Sequence, residues 1–171
     1  MEIERKFLIK TAPADLEQYP HYEIEQGYLC TSPVLRIRRK GDSYIFTYKS
    51  AGLMTREEIE VPLSEESYQH LLPKCDGNPI TKTRYKIPEP NLSASGQPLT
   101  IEFDVFHGAL EGLLLAEVEF ASEEDAHAYS APDWFTVEVT KTSTFHNSQI
   151  SSARSEDILR EAVKLLTQRN L

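Results

Sequence analysis

Seven stretches of this chain alternate charged and apolar residues with a period of two, and in most of them the charges stand in i, i+2 pairs. The first is Glu2-Ile3-Glu4-Arg5-Lys6-Phe7. As a β-strand it sets Glu2, Glu4 and Lys6 on one face and Ile3, Arg5 and Phe7 on the other. Further on, Arg36 aligns with Arg38, Thr47 with Lys49, and Arg56 with Glu58 and Glu60. Lys82 aligns with Arg84 and Lys86, Glu102 with Asp104, and Glu117 with Glu119. The opposite faces are mostly apolar. The pattern restricts the chain to an antiparallel β fold with one ionic face.

Alternation alone fits both a wet outer surface and the inside of a polar barrel. Two details favour the inside. The charges are paired with little Ser, Thr or Gln between them. They also sort by strand: basic at Arg36/Arg38, Lys49 and Lys82/Arg84, acidic at Glu102/Asp104 and Glu117/Glu119, mixed at Glu2/Glu4/Lys6 and Arg56/Glu58/Glu60. Carboxylates and ammonium groups crowded together cannot be buried without compensation. A divalent cation on the acidic side and a polyanion on the basic side would supply it.

This series resembles the CYTH domain of the triphosphate tunnel metalloenzymes. The family's ExExK signature corresponds to Glu2, Glu4 and Lys6, its Arg-x-Arg strand to Arg36 and Arg38, and its Thr-x-Lys strand to Thr47 and Lys49. Arg56-x-Glu58-x-Glu60, Lys82-x-Arg84-Tyr85, Glu102-x-Asp104 and Glu117-x-Glu119 follow in the family's order. Gln26-Gly27-Tyr28 and Glu138-Val139-Thr140 match as well. The resemblance implies an α+β fold: a closed eight-stranded antiparallel β-barrel whose charged lumen is the active site, with helices packed outside. Such a barrel has room for side chains or one small ligand. Strands are expected near 2–10, 22–31, 34–40, 43–50, 56–62, 80–87, 99–107 and 113–121. A capping serine followed by acidic residues marks helix starts at Ser64 and Ser122. The stripe of Ile158, Leu159, Ala162, Val163 and Leu166 marks a helix over about 152–169. The resemblance adds that this last helix closes one tunnel mouth. The segment from Pro88 to Pro98 reads as an exposed loop.

A chain of 171 residues with 40% hydrophobic content is expected to form one domain, 1–171. Its net charge of −9 makes a nucleic-acid backbone an unsuitable partner. It has no apolar run of membrane-spanning length and no charged-then-apolar leader before the first motif, so a cytoplasmic location without a membrane partner is expected. Cys30 and Cys75 lack CxxC spacing, the histidines are scattered, and Walker, GxSxG and zincin patterns are absent. The expected assembly is a monomer or homodimer.

The chemistry implied by the resemblance is hydrolysis of a phosphoanhydride bond in a small-molecule triphosphate. Arg36, Arg38, Lys49, Arg56, Lys82 and Arg84 are the expected phosphate ligands. Glu2, Glu4, Glu60, Asp104, Glu117 and Glu119 are the expected metal ligands, with Glu58 and Glu102 supporting and Glu2, Glu4, Lys6 and Lys49 in the catalytic set. Oxygen-only ligands suit one or two Mg²⁺ or Mn²⁺ ions. Three readings compete: an inorganic triphosphatase, which comes first; another enzyme on the scaffold, either a class IV adenylyl cyclase or a thiamine- or nucleoside-triphosphatase; and a polyphosphate- or nucleotide-binding protein without turnover. Lys40 and Lys86 are in phase but near strand ends, and are expected to be solvated. Tyr28, Glu138 and Lys141 receive no role from the sequence.

Overall fold

The computed structural model describes residues 2–51 and 55–168, with the backbone alone for Glu2, Thr55 and Arg56. The ionic alternation becomes β1 (Glu2–Leu8), β2 (His21–Thr31), β3 (Val34–Lys40), β4 (Ser43–Lys49), β5 (Thr55–Arg56) and β6 (Glu58–Leu63). After α1 (Glu65–Leu71) come β7 (Asp76–Pro88), β8 (Thr100–Phe106) and β9 (Leu114–Glu119). The chain ends with α2 (Glu123–Ala128), β10 (Val137–Glu138), α3 (Asn147–Ser152) and α4 (Ser155–Gln168). Every pairing is antiparallel, and one path of nine strands runs β10-β1-β9-β8-β7-β2-β3-β4-β6.

The expected closed eight-stranded barrel is corrected here: hydrogen bonds do not close the sheet. Closure would pair β6 with β1, but β1's free edge is taken. Phe7 and Leu8 pair with Glu138 and Val137, and Val139 N–H donates to the Lys6 carbonyl. Residues 58–63 instead run along β4, and Ser50 holds both backbone groups of Glu57. From that side of the sheet, among the described residues, only β5 reaches β1, opposing Arg56 to Glu2 and Thr55 to Ile3.

The inward face changes character along its length. On five strands the charged residue is followed two positions on by an apolar one at the same end: Lys6 by Leu8, Glu117 by Leu115, Asp104 by Phe106, Lys82 by Ile80, and Arg36 by Val34. Those five apolar residues join Tyr28, Phe145, Ile150, Ile158 and Ala162 in one buried cluster, so helices α3 and α4 seal that end. Gly77 lets α3 sit flush on β7: its φ is +65° and an added Cβ would lie 2.1 Å from the Ser151 carbonyl oxygen.

A second cluster covers the outside of β1, β9, β8 and β7. Ile3, Phe7, Ile101, Phe103, Ala116 and Val118 alternate with the ionic residues and pack under Phe120, Ala126 and Phe135. The outer side of β6 stays open, with Ile59 50% and Val61 45% exposed. Helices α1 and α2 start where the capping serines predict, Ser64 accepting from Ser67 N–H and Ser122 from Asp125 N–H. The 88–98 segment is the exposed loop expected, and it is tied down: Ser95 donates through its N–H and hydroxyl to Asp125, and Glu89 and Ser93 are buried. One expectation changes. The expected 152–169 helix is α4, set off from α3 at Ala153-Arg154. No helix among the described residues is long and apolar enough to cross a membrane.

Candidate active site

The inward face encloses a cavity of about 240 Å³, sealed at the apolar end and open at the other. Of the residues singled out from the sequence, Glu4, Arg36, Arg38, Lys49, Glu58, Glu60, Lys82, Arg84, Glu102, Glu117 and Glu119 line it. Lys6 and Asp104 stand behind this lining. The side chains of Glu2 and Arg56 lie outside the described residues. Lining residues without an expected site role are Tyr22, Gln26, Tyr28, Val34, Lys40 and, from the start of α3, His146, Asn147 and Ser148. Tyr22, Gln26 and Tyr28 share a parity on β2. A search for paired charges passes over that strand because its inward side chains are uncharged.

The charges form two groups. On β1, β7, β8 and β9, Arg84 is the hub. It grips Asp104 through Nε and Nη2, both at 2.6 Å, reaches Glu117 Oε2 at 2.6 Å, and also bonds Glu102. Lys82 donates to Asp104, Lys6 Nζ lies 2.8 Å from Glu117, and Lys86 bonds Glu102. Lys86 is therefore paired, where the sequence placed it in solvent. Asp104 is 0% exposed on its side chain and enclosed by Lys82 and Arg84. Burial works to raise the Glu117 pKa, yet Lys6, Arg84 and Lys82 hold it well below the ordinary carboxylate value. Glu102 is lowered too: burial opposes the shift, and Arg84 and Lys86 outweigh it. Burial pulls Lys82 down to about 8, with Asp104 opposing and Arg84 assisting.

On β3, β4 and β6 the pairing is looser. Arg38 Nη2 donates to Glu60 Oε1 at 2.8 Å, and Arg36 Nη2 donates to Thr47 Oγ1 at 3.1 Å while Glu58 and Glu60 lie 3.6 Å away. Lys49 Nζ is 3.3 Å from Glu58. Thr47 passes its hydroxyl hydrogen to Glu60 at 3.1 Å. Arg36 and Arg38 each keep a buried Nε–H with no acceptor among the described residues. Burial, then repulsion from Arg36 and Arg84, lowers the Arg38 pKa to about 10 against the pull of Glu60 and Glu58. Buried donors of this kind are rare in a folded protein and point to an absent acceptor.

Glu4 and Glu119 occupy opposed positions across β1 and β9, beside the Lys6–Glu117 pair. At the sealed end, His146 Nε2 bonds the Thr140 carbonyl at 3.1 Å, and Thr140 Oγ1 accepts from Lys6 N–H. Glu138 turns away from the cavity to hold Arg5 at 2.9 and 2.6 Å, and Lys141 is exposed beside it.

The family model for the CYTH domain matches residues 1–155. The chain belongs to the CYTH family. This CYTH chain is 40% identical over 156 residues to an inorganic triphosphatase of Nitrosomonas europaea, covering 88% of this chain and 96% of that one. It is 32% identical over 157 residues to an inorganic triphosphatase of Acetivibrio thermocellus, covering 87% and 92%. Its fold superposes on a crystal structure of an inorganic triphosphatase with a TM-score of 0.63 and 35% identity, over 90% of this chain and 95% of that one. The sealed end of the CYTH cavity differs from the expectation in one respect: α3 supplies the lining residues there, and α4 packs behind it.

Proposed function

We propose that this CYTH domain hydrolyses a phosphoanhydride bond of a small triphosphate, with inorganic tripolyphosphate as the substrate. The observation that carries this reading is the pair of buried, unfilled guanidinium Nε–H donors on Arg36 and Arg38, set in the same cavity as the opposed Glu4 and Glu119. A phosphate chain offers the acceptor oxygens that Arg36 and Arg38 lack. The identity and coverage of the two named triphosphatases support the same substrate.

In this reading Arg36, Arg38 and Lys49 bind the phosphates from one wall, and Lys82 and Arg84 from the other, with Arg56 as a further ligand. Glu4 and Glu119, with Glu2, hold a divalent cation. The donor set fits: the groups are carboxylates, and Glu4 and Glu119 stand directly opposed, offering the hard oxygen donors such an ion takes. Mg²⁺ is ordinarily bound by one or two carboxylates together with substrate phosphates, and Mn²⁺ takes the same oxygen donors. When bound, such an ion neutralises phosphate oxygens and lowers the pKa of an attached water. Glu117, Asp104 and Glu60, expected above as metal ligands, instead orient cations: Glu117 and Asp104 hold Lys6, Lys82 and Arg84, and Glu60 with the supporting Glu58 holds Lys49, Arg36 and Arg38. The sealed end fixes how far the chain of phosphates enters.

The test is phosphate release from tripolyphosphate, with ATP and thiamine triphosphate in parallel, in Mg²⁺, in Mn²⁺ and in EDTA. The expected result is EDTA-sensitive release that is fastest with tripolyphosphate. Conversion of ATP to cyclic AMP and pyrophosphate, or binding without turnover, would overturn it.

A further inference from the structure

Lys40 is the last residue of β3 and lines the cavity on the same inward face as Arg36 and Arg38. The other lysines of the site each hold a carboxylate: Lys6 holds Glu117, Lys49 holds Glu58, Lys82 holds Asp104 and Lys86 holds Glu102. Lys40 has no carboxylate within ion-pair distance among the described residues. Its Nζ stands instead 4.7 Å from the centroid of the Tyr22 ring, which also lines the cavity and sits opposite Arg84 in the β2–β7 ladder. A cation resting on a ring face is held in place while its charge stays unneutralised.

The position of this free charge matters because the cavity has one open end. The apolar cluster seals the other, where Val34 and the start of α3 form the floor. A triphosphate therefore seats with a terminal phosphate inward and its other end at the mouth, where β3 finishes. In tripolyphosphate the outer end is a second terminal phosphate, whose charge approaches −2 because its last pKa is about 6. In an organic triphosphate the phosphate there is esterified, carries about one charge fewer, and leads to a carbon group. Lys40 also covers one face of Tyr22, a surface on which a base would otherwise stack.

We propose that Lys40, seated on Tyr22, is a specificity-determining residue that selects tripolyphosphate over organic triphosphates by meeting the additional charge on the outermost phosphate. This rests on the substrate proposed above. The experiment compares the KM for tripolyphosphate with the inhibition constant of ATP against tripolyphosphate, in the wild type, Lys40→Gln, Lys40→Arg and Tyr22→Leu, so that it does not depend on ATP turnover. Lys40→Gln is expected to raise the tripolyphosphate KM about tenfold, the loss of one charge-assisted contact, and the ATP constant about threefold or less. Lys40→Arg keeps the wild-type ratio, and Tyr22→Leu lies between. Equal shifts for both ligands, or no shift in Lys40→Gln, would overturn the proposal. A wild-type chain inactive on tripolyphosphate would refute the function itself, whereas an active wild type with an unchanged ratio in Lys40→Gln refutes only the part given to Lys40.

Discussion

The two charged walls of the cavity contain the same kinds of side chain and use them differently. On the β7–β8–β9 side every polar atom of Arg84 and Lys82 is committed to or enclosed by carboxylates, and Asp104 is sealed among them. On the β3–β4–β6 side, Arg36 and Arg38 keep buried donors unfilled, and two contacts from Arg36 stretch to 3.6 Å. A buried ion pair rarely adds net stability over an apolar pair, but removing one member leaves a stranded charge. The first wall therefore behaves as framework that also presents cations. The second holds binding capacity in reserve at a cost in stability, as groups poised for a ligand commonly do.

The comparison breaks most sharply at Arg84. Arg84→Ala would leave Glu102, Asp104 and Glu117 facing one another without their shared partner, a loss of roughly 3–5 kcal/mol. Chemical denaturation should show this as a lower midpoint with little change in slope. Arg38→Ala should do the reverse. It removes a donor to Glu60 and a strained cation, so stability should change by only about 1 kcal/mol, while kcat/KM for tripolyphosphate should fall about a hundredfold. If Arg38→Ala unfolds the chain or Arg84→Ala leaves its midpoint unchanged, the division between the walls is wrong. Glu4→Gln sharpens the line further. It alters charge at nearly constant volume, and it should reduce Mg²⁺-dependent turnover about a hundredfold with no loss of thermal stability. Retained activity at saturating Mg²⁺ would remove Glu4 from the cation's ligands.

The strand pattern was legible because a period of two is a backbone property, and seven ionic faces in sequence leave few folds open. Strand limits differ from expectation by a few residues, and Arg36, Arg38, Lys49, Glu58 and Glu60, which the resemblance grouped, line one cavity. The unclosed sheet was not legible, since it depends on residues 137–140 occupying the β1 edge, a long-range competition with no local signature. Nor was the sealed end. Leu8, Ile80, Phe106 and Leu115 have the parity of the charged residues, and alternation says only which side a residue faces, not what it meets there. His146, Asn147 and Ser148 reach the cavity from a short helix whose sequence carries no charge pattern. Continuing the inward parity of Gln26 back to Tyr22 would have found one of the missed residues.

The least disruptive test of the comparison is pH. Burial lowers Lys82 to about 8, so the free enzyme loses that cation as the pH passes 8, and kcat/KM for tripolyphosphate should fall roughly tenfold per unit beyond it. Stability moves the other way. Unfolded Lys82 keeps its proton to about pH 10.4, so between about 8 and 10.4 the unfolded chain binds more protons and Lys82's contribution to stability rises with pH. Glu117 acts at the acid end with the same sense, stability rising with pH. Its folded pKa is depressed, so its stabilisation is complete above the unfolded value near 4.3 and is lost as the pH falls through the folded one. The framework wall should therefore fail in acid while catalysis fails in mild base. Replacing Lys82 with Arg should abolish the alkaline limb of kcat/KM, since a guanidinium stays charged there, and leave the acid unfolding midpoint in place. A limb that survives in Lys82→Arg would assign the lost proton to a group other than Lys82.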